Sequence, residues 1–196
     1  MTVRTERRAR SGRRAAGQLT GSVALTLALW SVPLGAQPAT TAAALKAAFL
    51  YNFAKFAEWP ADALAPGQHL ELCVVGDNGV ADALEQIIKR RIVDGHELAV
   101  QVIKADGAIR ACHLLYVSSA EMKRFPRMLD MLAGASVFSV SDGDAFAKSG
   151  GVVQLMLEHE RMRFAINVSA AQRARLHISA NLLNLATIIK DQRDGS

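Results

Sequence analysis

The chain has 196 residues, 51% of them apolar and 21% charged, enough for one domain with a substantial core. Its formal charge of +5 originates in the first 36 residues, where Arg4, Arg7, Arg8, Arg10, Arg13 and Arg14 face a single acid, Glu6. The remainder is balanced in charge, so a nucleic-acid-binding reading based on net charge fails.

In chain order, the opening segment has the layout of a secretory signal. An arginine-rich stretch precedes an apolar run from Leu19 to about Leu34, broken by Gly21 and Pro33, and small residues lead to an expected cleavage after Ala36. The run is short and interrupted for a spanning helix, which leaves an uncleaved anchor as the alternative. Arg13-Arg14 lacks a large apolar residue close behind it, which favours ordinary Sec export. Residues 1–36 are therefore expected to be a leader, and residues 37–196 a single exported domain.

The first element is a helix from about Thr41 to Glu58, with Leu45, Phe49, Asn52, Phe53 and Phe56 on one face and Pro60 ending it at Trp59. A strand over His69–Gly76 leads through Gly76-Asp77-Asn78-Gly79 into a helix from Val80 to Arg91, with Leu84, Ile87 and Ile88 inward. The loop occupies the position of a phosphate site but lacks the glycine pattern of a dinucleotide or P-loop motif. Asp94-Gly95-His96 turns into a strand over Glu97–Ile103, and Cys112–Val117 forms the next. Ser118 and Glu121 have capping-box spacing before a helix reaching Leu132, which Pro126 kinks or delays. A strand over Ala135–Val140 follows, then a helical turn through Ala145, Phe146 and Ala147, capped by Ser141 or Asp142 and closed by Gly150. Val152–Leu157 and Met162–Asn167 read as a hairpin around the polar turn Glu158-His159-Glu160-Arg161. Ser169 and Ser179 are expected caps of two terminal helices, the second with Leu182, Leu185, Ala186 and Ile189 in one apolar stripe. Together these elements predict an α/β fold: a single domain with a mainly parallel central sheet flanked by helices and a C-terminal antiparallel hairpin.

The exported part retains two cysteines, Cys73 and Cys112, each in or beside an apolar strand. An oxidising compartment and an even count favour a disulfide between them, against the alternative of two buried free thiols. No catalytic set emerges. His69, His96, His113, His159 and His177 are scattered, with no metal-ligand spacing and no G-x-S-x-G elbow. His113 beside Cys112 suggests a pair, but adjacent strand residues point to opposite faces. Glu158 and Glu160 read as solvated turn charges. No catalytic residue, metal or cofactor is expected.

Five segments carry a family resemblance: Lys46–Phe56 (KAAFLYNFAKF) followed by Glu58-Trp59-Pro60; Cys73–Asn78 (CVVGDN); Cys112–Ser118 (CHLLYVS); Ser139–Gly151 (SVSDGDAFAKSGG); and the stretch from Gly150 to Ala186 containing RFAIN and ISANLLNLA. In this order they resemble the YfiR family of small periplasmic proteins, over nearly all of the chain after the leader. The resemblance implies a non-catalytic regulator that binds the periplasmic sensing domain of an inner-membrane diguanylate cyclase of the YfiN type. Binding would hold the cyclase off, and release under envelope or redox stress would raise cyclic di-GMP and favour biofilm formation. Relatives often carry cysteines at these two places and some a second pair late in the chain, which is absent here. Candidate partner contacts are Phe49, Tyr51, Phe53, Phe56 and Trp59 on the aromatic N-terminal helix, and Leu182, Leu185 and Ile189 near the C-terminus. The plainer reading of the aromatic helix is a core element. A homodimer, a ligand-binding module with its site near Gly76–Asn78 and Val117–Ser119, and a structural partner of another envelope complex are the competing readings.

Overall fold

A computed structural model describes residues 41–158 and 161–189. The expected leader and its expected cleavage site, and residues His159 and Glu160 of the expected hairpin turn, lie outside the described residues.

The first helix, α1 (Ala42–Phe56), is capped by Thr41, whose hydroxyl accepts from the Ala44 amide at 3.1 Å. Its buried stripe is Ala47, Leu50, Phe53 and Ala54, with Phe49 and Phe56 on the shoulders and Asn52 exposed. The expected stripe was therefore rotated: small alanines let the helix sit close to the sheet, so the bulky aromatics fall to either side. The helix also ends before Trp59, because Ala57–Glu58 (β1) is extended and pairs antiparallel with His177–Ile178 (β9).

Next come β2 (Leu70–Val75), α2 (Asn78–Ile88), β3 (Ile92–Val93), β4 (His96–Val102), β5 (Leu114–Val117), α3 (Phe125–Met131), β6 (Phe138–Ser141), β7 (Val153–Glu158), β8 (Arg161–Asn167), α4 (Val168–Arg173), α5 (Ala180–Leu183) and β10 (Thr187–Ile189). The main sheet has the order β10-β8-β7-β6-β5-β2-β4-β3. Strands β4, β2, β5, β6 and β7 are mutually parallel, β8 runs antiparallel to β7, and β10 is parallel to β8. This is the expected mainly parallel α/β sheet with a C-terminal antiparallel hairpin.

Strand alternation builds two cores. Leu72, Val74, Leu114, Tyr116, Phe138 and Val140 face α1 and α2 in one cluster. Cys73, Val75, Leu115 and Val117 face Phe125, Met128 and Leu132 in the other. Sheet order turns at β2: the chain steps from β2 outward to β4, then returns to the other flank at β5.

Pro126 delays α3, one of the two expected effects: it sits in the first turn, where its missing amide costs nothing, and Ser119–Arg124 is a 3-10 helix ahead of it, capped by Ser118. The last turn of α3 is closed by Arg110, which donates to the carbonyls of Met131 and Ala133 at 2.7 and 2.8 Å. Other local readings need correction. The segment Asp144–Gly150 forms successive turns rather than a helix, with Ala145 at φ 58°. Asn167, not Ser169, caps α4: its side-chain oxygen accepts from Ala170 at 2.9 Å while its amide donates to the Ala147 carbonyl at 2.7 Å. Ser179 does cap α5, but that helix is four residues long, and the expected apolar stripe breaks up. Thr187, Ile188 and Ile189 are β-branched, prefer the extended backbone, and find an open edge at β8.

Candidate functional site

The carboxyl edge of the parallel strands is where open α/β sheets hold ligands, at the point where strand order reverses. Here that point lies between β2 and β5, above Asp77 and Ser118. It is filled from within. Lys46, reaching down from α1, pairs with Asp142 at 2.7 Å and lies 3.6 Å from Asp77. Its ammonium also lies over the Tyr116 ring, 5.8 Å from the centroid. Asp142 accepts the buried Tyr116 hydroxyl at 2.9 Å and the Ser119 amide at 2.8 Å. Burial alone would raise the Asp142 carboxyl; hydrogen bonds from Lys46, Ser119 and Tyr116 outweigh it and hold the group below its ordinary value. Burial, then the Asp142 charge, pushes the Tyr116 phenol upward. Asp77 spends its other oxygen capping α2, accepting from Val80 at 3.1 Å. Four elements thus meet in a satisfied ion network that leaves no nucleophile free.

His113 is equally committed. Its Nδ1 accepts the Glu71 amide at 2.9 Å, so the proton resides on Nε2, which donates to the Ala63 carbonyl at 3.0 Å. The Trp59 indole donates to the His113 carbonyl at 3.0 Å. Cys112 faces away and is bonded to Cys73, with the two Cα atoms 5.8 Å apart. The bridge joins β2 to the end of the 3-10 turn Ile109–Ala111 and lies within the α3-side core. Among the described residues there is no group of three or more His, Cys, Asp or Glu side chains able to hold a metal. No described helix is long and apolar enough to cross a membrane.

The eight candidate contact residues divide. Phe53 and Leu182 are buried in the chain's own core. Phe53 lies tilted against Phe138 and edge-on to Phe164, with ring centroids 5.9 and 5.2 Å apart. Phe49 meets Phe53 and Phe164 edge-on and is half-buried, as is Trp59, which packs on Phe138. Tyr51 and Phe56 present their outer surfaces to cations: Lys55 lies over both rings, and Arg91 over Tyr51 at 5.0 Å. Leu185 is 73% exposed, and Ile189 is half-buried in the edge strand β10. The β1–β9 ladder, extended by the Ser179 amide donating to the Phe56 carbonyl at 3.0 Å, brings the end of α1 beside the start of α5. Sequence reasoning missed Lys46, Tyr116 and Asp142 as a unit. Its one trace is a lysine on an otherwise apolar helix face, which signals a buried partner only once the partner's position is known.

A solved structure of a conserved domain protein from Vibrio cholerae O1 biovar El Tor is similar at 12% identity, with a TM-score of 0.46, covering 66% of this chain. The chain spans 57% of the length of that neighbour. No curated protein matches the sequence. Residues 43–187, from the first turn of α1 to the first residue of β10, match the YfiR/HmsC-like family, and the chain belongs to that family.

Proposed function

We propose that this protein is a non-catalytic periplasmic regulator that docks on the periplasmic sensing domain of an inner-membrane diguanylate cyclase and holds it inactive. The observation that carries this reading is the family match over residues 43–187, a family that suggests periplasmic regulation of diguanylate cyclase pathways. The local geometry is compatible with a binding module: the ion network at the sheet edge and the His113 hydrogen bonds are internally satisfied, and both serve packing. In this reading residues 1–36 are removed on export, and residues 37–196 form the regulator.

Docking uses the surface where the two ends of the domain adjoin. Tyr51 and Phe56 with Lys55 and Arg91 form an amphipathic aromatic–cation patch on α1, flanked by the outer parts of Phe49 and Trp59. Leu185 and Ile189 extend it toward β10. Phe53 and Leu182 support this surface from beneath. Repression requires a higher affinity for the inactive cyclase conformation than for the active one, since equal affinity shifts nothing. The test is intracellular cyclic di-GMP in the source bacterium with and without the gene. A rise on deletion, reversed by the exported chain but not by a leaderless one, is the expected result. An unchanged level across growth conditions would sink the cyclase reading while leaving the family fold intact.

A further inference from the structure

Next to the filled crevice, the same sheet edge carries an open one. A cleft of about 690 Å³ lies between the carboxyl ends of β2 and β4 and the 121–128 segment, a size typical of small-ligand sites. Its floor is apolar, formed by Val75, Ala105 and Met128, all buried. Its rim is cationic: Lys104, Lys123, Arg124 and Arg127 stand against two carboxylates, Asp106 and Glu121. Glu121 already pairs with Arg124 at 2.9 Å. Among the described residues Lys104, Lys123 and Arg127 have no ion-pair partner.

Charge is balanced over the chain beyond the arginine-rich opening segment, so this concentration is local rather than a consequence of a basic protein. Like charges brought together on three segments repel one another, and an anion between them offsets that cost. The turn that ends β2 at the cleft is closely packed by the Glu121 side chain. Gly76 has φ +81°, and a Cβ there would come within 2.7 Å of the Glu121 Cγ. Arginine forks and lysine ammonium groups together match the oxygens of phosphate or carboxylate.

We propose that this cleft binds a small polyanion carrying at least two phosphate or carboxylate groups, with Lys104, Lys123 and Arg127 as its principal contacts. The site lies away from the aromatic patch of α1, and the proposal does not depend on the cyclase reading, because binding is measured on the purified protein alone. The experiment is calorimetric titration at low ionic strength with inorganic pyrophosphate and, separately, with citrate. The wild type is compared with the double variant Lys123→Gln/Arg127→Gln and with Lys148→Gln, an exposed lysine outside the cleft. Saturable binding is expected, weakened about tenfold or more in the double variant, as befits loss of a charge-assisted hydrogen bond, and unchanged in Lys148→Gln. Whether pyrophosphate, citrate or both show this pattern assigns the anion as phosphate, carboxylate or either, and each result supports the site. Absence of saturable binding by both probes overturns it. So does binding that the double variant retains, or a loss that Lys148→Gln shares.

Discussion

Two crevices adjoin on one edge of the sheet and were resolved in opposite ways. Over β2, β5 and β6 the gap is closed by Lys46, whose charge is met by Asp142 and Asp77 within the chain. Over β2 and β4 the gap stays open, and its cations outnumber the carboxylates facing them. In the first, polar groups were spent on holding α1 against the sheet. In the second they were left for something outside the chain. A ligand-binding fold position therefore does not by itself mark a ligand site; what decides is whether the charges there already have partners.

The largest effect expected from breaking this contrast is at the disulfide. Cys73–Cys112 closes a 39-residue separation and fastens β2 to the turn that follows the Ile103–Asp106 wall of the open cleft. Cys73→Ala/Cys112→Ala should lower unfolding free energy by about 4 kcal/mol on the chain-entropy account, read by urea denaturation. A loss below about 1 kcal/mol would show that packing alone holds this face.

Next is the closed crevice. Asp142→Asn leaves the Lys46 ammonium without its nearest anion while preserving an acceptor for Tyr116, and should cost about 1–3 kcal/mol. An unchanged melting curve would mean that Asp77 replaces Asp142 as the partner of Lys46.

The same network predicts a pH profile. The Asp142 carboxyl is held below its ordinary 3.8, so its contribution is fully present above that pH and is lost as pH falls through the lower folded value. The Tyr116 phenol is held above its ordinary 10.0, so the unfolded chain ionises first on alkaline titration and stability declines above that pH. Thermal melts across pH should show both limbs, and Tyr116→Phe should flatten the alkaline one.

The smallest stability effect is expected in the open cleft. Lys123→Gln/Arg127→Gln removes exposed, unpaired charges and should move stability by no more than about 0.5 kcal/mol, in the stabilising direction if repulsion is relieved. A large loss would show that these cations hold the fold together rather than await a ligand.

Much of the architecture could be read from local pattern. A nearly continuous apolar run in Leu70–Val75 and apolar alternation in Met162–Asn167 signalled strands, and Ser179 announced a helix start. The short elements resisted. Thr187–Ile189 fits a helical spacing by arithmetic and becomes a strand only because β8 offers an unpaired edge. Ala57–Glu58 and His177–Ile178 are too short for any pattern and exist only as partners of each other. Of the site residues, the cysteine pair was legible because count and compartment both constrain it. The aromatic residues of α1 were visible as a group, but which of them reach solvent was not: Phe53 and Tyr51, two positions apart, differ only in the direction a helix turns them.

Residue type and spacing along the chain were enough for the α/β class, the order of the main elements and the family, and they favoured a bridge between the two cysteines that the fold then formed. Tertiary structure alone decided that Lys46 meets Asp142 and Tyr116, that Phe53 and Leu182 are core, and that three cations converge unpaired beside Gly76. Those outcomes depend on which strand lies next to which. Charge and burial acquire energetic meaning only from neighbours that the chain brings together across large sequence separations.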